Sequence, residues 1–255
     1  MHIFAFMIKE ERLNIILSIL TKDRKVLLSD LSEQLKVSED TIRRDIKTLS
    51  ERGLLKAVRG GAVPHSTVPR HFRARENYDQ LSKDIIAAKA LQFLENDQVI
   101  LFDGGTSTLA VAASIPHNLN ITVVTNSFPI AGVLEDHPSV ELIFAGGRLN
   151  KASFTAMGQD THNAFQKIRA DICFFGICSI HPSVGVTTVG YEEAAIKKTM
   201  VETAQRTIAL ATYEKINKAD AYFICPVTDI DTIITNKPAD HPDLAAYQAA
   251  GIDVC

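Results

Sequence analysis

Six residues near the middle of the chain, Asp103, Gly104, Gly105, Thr106, Ser107 and Thr108, bring together what a small anion needs. Two glycines let the backbone turn tightly, and three hydroxyls follow where a helix would begin. An apolar run, QVILF at 98–102, stands before them, and a small-residue stretch, LAVAAS at 109–114, follows. That order predicts a buried strand handing over to a helix whose unpaired N–H groups and positive end face the loop. The loop reads as a seat for phosphate. It has neither the Walker lysine after its second glycine nor GxGxxG spacing, so a nucleotide is the less favoured occupant. A glycine turn with a hydroxyl cap that binds nothing is the plain alternative.

Other loops join this one if the surrounding elements form an open α/β sheet, because ligands there sit outside the carboxyl ends of the strands. The rule gathers Thr125, Asn126 and Ser127, then Gly146, Gly147 and Arg148, then the stretch from Thr212 to Lys215. Glycines and hydroxyls suit the phosphate, and Arg148 or Lys215 could neutralise it. A lone lysine after a strand is more often a surface residue. Asp103 is itself negative, so its natural partner is a sugar hydroxyl.

The pattern from residue 78 onward supplies such a sheet. Apolar runs predict strands at 98–102, 121–125, 140–145, 172–175, 207–211, 222–225 and 232–235. Helical spacing falls between them, through Ile85, Ile86, Ala90, Leu91 and Leu94, and at 129–134, 162–168, 191–204 and 243–250. Alternation of this kind predicts an α/β domain with a mostly parallel sheet over residues 78–255.

The front of the chain has a different character. Net charge is −3 over 255 residues, yet residues 1–75 hold 15 Lys and Arg against 9 Asp and Glu, or +6, and the remainder 12 against 21, or −9. A basic module joined to an acidic one would confine attraction for polyanions to the first. Leu13, Ile16, Leu17 and Leu20 predict a first amphipathic helix. Ser29 reads as the cap of a second, with Leu31 and Leu35 inward. Ser38 caps a third, whose Ile42, Ile46 and Leu49 share one side, with Arg44, Lys47 and Thr48 opposite and Thr41 and Arg43 flanking. Gly53 is a suitable C′ residue. Residues 54–63, with Arg59 and Gly60-Gly61 at the turn, read as a short hairpin.

Three short helices and a hairpin, the last helix carrying cations outward, predict a winged helix-turn-helix over residues 7–63. Its chemistry fits double-stranded DNA, since Arg and Lys reach phosphates and Arg can bridge guanine O6 and N7. Charges on a surface helix that are merely solvated are the competing reading for each residue singly. Residues 64–77, with two prolines and clustered Arg and His, read as an exposed linker.

Composition excludes several classes. Hydrophobic residues make up 46% and charged residues 22%, which suits a globular chain, and no segment approaches the roughly 18 apolar residues of a membrane span. The opening MHIFAF is too short for a signal peptide and reads as residues upstream of a start at Met7. Cys173, Cys178, Cys225 and Cys255 lack metal spacing, and buried, reduced thiols in a cytoplasmic protein are expected, without metal or cofactor.

The run from Val37 to Ala62, VSEDTIRRDIKTLSERGLLKAVRGGA, resembles the signature of DeoR-type (glycerol-3-phosphate repressor-like) bacterial transcriptional regulators. DGGTST, then TVVTNS at 122–127, GGRL at 146–149, GVTT at 185–188 and EEAAIKKTM at 192–200 extend the likeness through the chain. The resemblance implies a sensor domain similar to the ribose 5-phosphate isomerase and glucosamine 6-phosphate deaminase fold. It further implies a repressor of a carbohydrate operon, a homodimer or homotetramer, released from operator DNA by a phosphorylated sugar or related metabolite. It also makes Lys215 a typical site residue. Thr212 and Asn236 stand where such proteins usually have Asp, which alters which hydroxyls can be recognised. Two other readings remain: a sugar-phosphate isomerase or deaminase with an accessory DNA-binding module, using Asp103, Glu193 and Lys215 as acid/base groups, and an architectural DNA-binding protein without ligand.

Overall fold

The computed structural model describes residues 8–23, 25–52, 54–63 and 71–255. The opening MHIFAF, the expected start at Met7, the C′ role of Gly53 and half of the expected linker, 64–70, lie outside the described residues.

The first domain comprises α1 (Lys9–Asp23), β1 (Val26–Leu27), α2 (Leu28–Leu35), α3 (Glu39–Glu51), β2 (Lys56–Val58) and β3 (Gly61–Val63). Leu13, Ile16 and Leu20 of α1 meet Leu31 and Leu35 of α2 and Ile42, Ile46 and Leu49 of α3 in one buried cluster. The helical spacing of these residues thus becomes a shared core. Leu17 is only half-buried.

Two features here differ from expectation. The wing has three strands in the order β1-β3-β2, with β1 antiparallel to β3. It closes this tightly because Gly61 has no side chain: a Cβ there would lie 1.9 Å from the Val26 carbonyl oxygen. Ser29 is not the cap of α2. Pairing of β1 carries the chain straight into the helix, Leu27 takes the N-cap position, and the Ser29 hydroxyl donates to Asp30 instead.

The second domain begins with α4 (Phe72–Glu76) and α5 (Gln80–Ala90), followed by β4 (Val99–Phe102), α6 (Thr106–Ala113), β5 (Ile121–Thr125), α7 (Phe128–Leu134) and β6 (Val140–Phe144). A hairpin of β7 (Arg148–Asn150) and β8 (Thr155–Met157) leads to α8 (Gln159–Gln166), β9 (Ala170–Gly176), β10 (Ser179–His181), β11 (Gly185–Thr188) and α9 (Tyr191–Thr203). The chain ends with β12 (Ala204–Leu210), β13 (Tyr222–Cys225), β14 (Thr232–Ile234), α10 (Ala245–Ala249) and β15 (Asp253–Val254). Seven of these strands form a parallel sheet in the order β15-β14-β12-β9-β4-β5-β6. The segment at 222–225 is a strand, but of a separate antiparallel sheet, β10-β11-β13.

Both faces of the large sheet are covered, which is why its strands read as continuous apolar runs. Ile100 and Phe102 of β4, Ile172 and Phe174 of β9, and Ile208 and Leu210 of β12 pack beneath α5, α6 and α7. The alternate residues, Leu101, Cys173, Phe175 and Ala209, pack beneath α8, α9 and Tyr247 of α10. Strand order reverses direction at β4: β5 and β6 follow on one side, β9, β12, β14 and β15 on the other. Asp103 to Thr108 therefore leave the sheet at the switch point, where open α/β sheets place their ligands.

Residues 71–77 are not a free connector, although His71, Arg73, Ala74 and Asn77 are exposed. Phe72 is buried, donates its N–H to the Ala152 carbonyl at 2.7 Å and stacks on Phe154, so α4 is fastened to the second domain.

Candidate functional sites: a cationic helix face and a crevice at the sheet switch point

The outward side of α3 is built on a cap. Ser38 Oγ accepts the Thr41 N–H at 3.2 Å and lies 2.9 Å from the Thr41 hydroxyl, so both side chains hold the first turn. Glu39 and Asp40 in that turn favour the positive helix end. Thr48 donates its hydroxyl to the Arg44 carbonyl. Arg43, Arg44, Lys47 and Arg59 are exposed, and Arg43, Lys47 and Arg59 face one groove between α3 and the wing turn, with Glu39 and Glu51 on its rim. Arg44 pairs with Asp40 at 2.7 Å and Lys47 with Glu51 at 4.0 Å, both exposed along the helix. Such pairs are worth only about 0.3–0.5 kcal/mol, so they hold these cations only weakly.

Asp45 is the residue of α3 that the pattern did not single out. It is buried, and Arg12 of α1 forks onto it through Nε and Nη2. A hydrophobic count along the helix passes over it because it is charged. The signal present in the sequence was its position, three residues after Ile42 and one before Ile46, on the inward side.

In the second domain, Gly105 is the N-cap residue of α6 and has no side chain to offer, so the N–H groups of the first turn are left for another acceptor. Thr106 and Ser107 of that turn line a narrow crevice together with Thr212 and Lys215 from the loop after β12. Ser107 is 2% exposed and its hydroxyl has no hydrogen-bond partner. Burial pushes the Lys215 ammonium down to about 8, and the positive charge of Arg75 acts in the same direction. The opposite wall comes from the end of the expected linker and the helix after it: Arg75, Tyr78, Asp79 and Lys83. Tyr78 donates to Glu214 at 2.7 Å across the crevice. The free space is about 10 Å³, room for about one water molecule, so the crevice as it stands is narrow.

Asp103 does not offer its carboxylate to a sugar hydroxyl. It is buried, accepts the Gly176 N–H at 2.9 Å and is paired with Lys197, whose ammonium also donates to the Gly176 carbonyl at 2.8 Å. Burial alone would lower the Lys197 value; Asp103 and Glu193 overcome that and hold it raised. Burial pushes the Glu193 carboxyl up, with Lys197 opposing. This cluster ties β4, β9 and α9 together. Gly104 is glycine for packing, since a Cβ there would lie 2.1 Å from the Thr155 methyl. Thr108 caps its own turn by donating to the Gly105 carbonyl.

The remaining expected site residues do not line the crevice. Thr125 donates to the Phe102 carbonyl, and Ser127 is the N-cap of α7. Asn126 donates to the Ala156 carbonyl and leaves its Oδ1 buried without a partner. Gly146 accepts from the Thr161 hydroxyl, and Gly147, at φ +153°, approaches that residue too closely for a Cβ. Arg148 pairs with Glu192 at the surface. Of the two departures, Thr212 donates to Glu214, and Asn236 Oδ1 accepts the Tyr213 N–H at 2.8 Å, holding the loop that carries Lys215. Among the described residues no group of three His, Cys, Asp or Glu is placed to hold a metal, all four cysteines are free thiols, and no helix is long and apolar enough to cross a membrane. Cys173 and Cys225 are buried, whereas Cys178 and Cys255 are partly exposed.

A winged helix with an outward cationic face, joined to a doubly covered parallel sheet, defines a DNA-binding regulator with a sensor domain. Residues 12–68 match the DeoR-like helix-turn-helix domain, and residues 78–237 match the DeoR C-terminal sensor domain. The chain belongs to the DeoR family of transcriptional regulators. It is 30% identical over 246 residues to the HTH-type transcriptional regulator GolR of Listeria innocua, covering 96% of this chain and 97% of that one. It is 26% identical over 229 residues to the glycerol-3-phosphate regulon repressor of Escherichia coli, covering 89% and 91%. Among solved structures, ribose 5-phosphate isomerase A from Methanocaldococcus jannaschii aligns over 52% of each chain with 14% identity and a TM-score of 0.38. The full-length relatives are regulators, and this protein is a regulator rather than an enzyme.

Proposed function

We propose that this protein represses a carbohydrate operon by gripping operator DNA through α3 and the wing, and that a phosphorylated sugar or related anionic metabolite in the second domain releases it. Ser38 and Thr41 set the first turn of the reading helix, Arg43, Arg44, Lys47 and Arg59 supply contacts to bases and phosphates, and Thr48 flanks them. The protein acts in the cytoplasm as a homodimer or homotetramer, so that two winged modules meet successive major grooves. The observation that carries the effector half is the crevice at the sheet switch point. There an unpartnered Ser107 hydroxyl, the uncapped α6 terminus and the Lys215 ammonium converge.

The test is a gel-shift titration on a genomic duplex selected by the protein itself, against a panel of phosphorylated sugars that includes glycerol 3-phosphate, the metabolite in the name of the E. coli relative. At least one compound is expected to lower operator affinity, and Arg44→Ala to lower it with no effector present. Equal affinity with and without every compound would refute the effector switch while leaving DNA binding intact.

A further inference from the structure

The crevice proposed as the anion site has only one lysine on its own side, yet three cations line it. Arg75 and Lys83 come from the segment that follows the wing, and among the described residues neither they nor Lys215 forms an ion pair with a carboxylate. Lys83 is 3% exposed and donates its ammonium to the Arg75 and Glu76 carbonyls, at 2.7 and 3.1 Å, which fixes the end of α4. Arg75 is held there with its Nε buried and without an acceptor. Across the crevice the Ser107 hydroxyl is likewise buried and unpartnered. Burying polar groups without partners costs free energy, and an anion between them would satisfy both.

We propose that Arg75 is a ligand-binding residue, and that the anion is clamped between the α6 terminus with Lys215 on one wall and the α4 segment on the other. The Tyr78–Glu214 hydrogen bond is the latch that keeps this clamp shut. This inference rests on the reading of the crevice as the effector site and adds the second wall. The free space of about 10 Å³ is too small for a phosphate group, so binding requires the walls to part, which strains that bond. Because α4 is the next described element after the wing strand β3 in the chain, an anion held by Arg75 acts on the segment nearest in sequence to the DNA-binding module. Lys83 is a positioning residue: it holds α4 and does not itself reach the anion.

The experiment is calorimetric titration of the full-length protein with inorganic phosphate and, separately, ribose 5-phosphate, at constant ionic strength. The variants are Arg75→Gln, Arg75→Lys, Tyr78→Phe and Lys215→Met, each checked for native thermal unfolding without ligand. Arg75→Gln is expected to weaken binding about tenfold or more, the loss of one charge-assisted contact, and Arg75→Lys to recover part of it. Tyr78→Phe, which removes only the latch, is expected to tighten binding a few-fold. A purely structural role for Arg75 would lower the unfolding temperature of Arg75→Gln without changing affinity, and that result overturns the proposal. If Lys215→Met abolishes binding while Arg75→Gln leaves it intact, the clamp is wrong and the effector site stands. If neither ligand binds the parent protein, the clamp is overturned, and the effector reading is then decided by the gel-shift panel.

Discussion

Lys215 shows how burial sets the working range of a single side chain. Its ammonium titrates at about 8 rather than the ordinary 10.5, chiefly through desolvation. For folding, the depressed value means the charged form is penalised only in the native state, so this group's penalty fades as pH rises from about 8 towards 10.5. For anion binding the sign is opposite, because only the charged form attracts the ligand. Sulfate keeps a constant charge through this range, so its affinity is expected to fall several-fold between about pH 7 and about pH 9. Lys215→Met should flatten that profile, and titration calorimetry at the two pH values checks it. An affinity independent of pH in the parent protein would remove Lys215 from the site. Asp103 teaches a related lesson. In the sequence it is a carboxylate beside a glycine loop, and in the fold Lys197 and the Gly176 N–H have already taken it.

Among the elements, the wing depends most on one position. The close pairing of β1 with β3 requires Gly61, where any Cβ would collide with the Val26 carbonyl. Gly61→Ala is therefore expected to cost about 1–3 kcal/mol of first-domain stability, the usual range for overpacking, and to weaken operator binding by displacing Arg59. Urea unfolding together with a gel shift measures both. Stability and affinity equal to those of the parent would show that β1 is not held in this way. The helix α3 is more robust on its outer side, where its cations have only exposed partners, than on its inner side, where Arg12 and Asp45 are paired out of water. Removing one member of such a buried pair typically costs about 3–5 kcal/mol.

For the whole molecule, the proposed switch obeys linkage: whatever factor the effector takes from operator affinity, operator DNA must take from effector affinity. Titrating an effector found in the gel-shift panel into protein with and without saturating operator duplex should return equal factors by the two routes. Unequal factors would mean that release does not run through a coupled two-state equilibrium. Salt acts on one side only. Operator binding should weaken steeply as salt is raised, because it neutralises phosphates with Arg and Lys and releases counterions.

The sequence alone marked the three helices and the hairpin of the first domain and most of the large sheet's strands and covering helices, in order, but not β1, α4, the β7–β8 hairpin, β10, β11 or β15. Periodicity marked the three short helices, and the short length and β-branched content of the apolar runs marked the strands that alternate with helices in the second domain. It also marked α3 and its cap, since Ser38, Ile42, Ile46 and Leu49 lie within one helix and need no distant partner. The tertiary structure alone decided which loops share a crevice. Thr106, Ser107 and Lys215 meet there, while Thr125, Ser127, Gly146, Gly147 and Arg148 are used to brace their own surroundings. Arg75, Tyr78 and Lys83 were invisible as crevice-lining residues because they belong to a stretch that reads as linker followed by an ordinary helix. Only the burial of Phe72 and the capping of α4 by Lys83 bring that stretch against the switch point. Local pattern fixes what a segment is, whereas which segments become neighbours depends on how two faces of a sheet are covered, and that is a property of the folded chain.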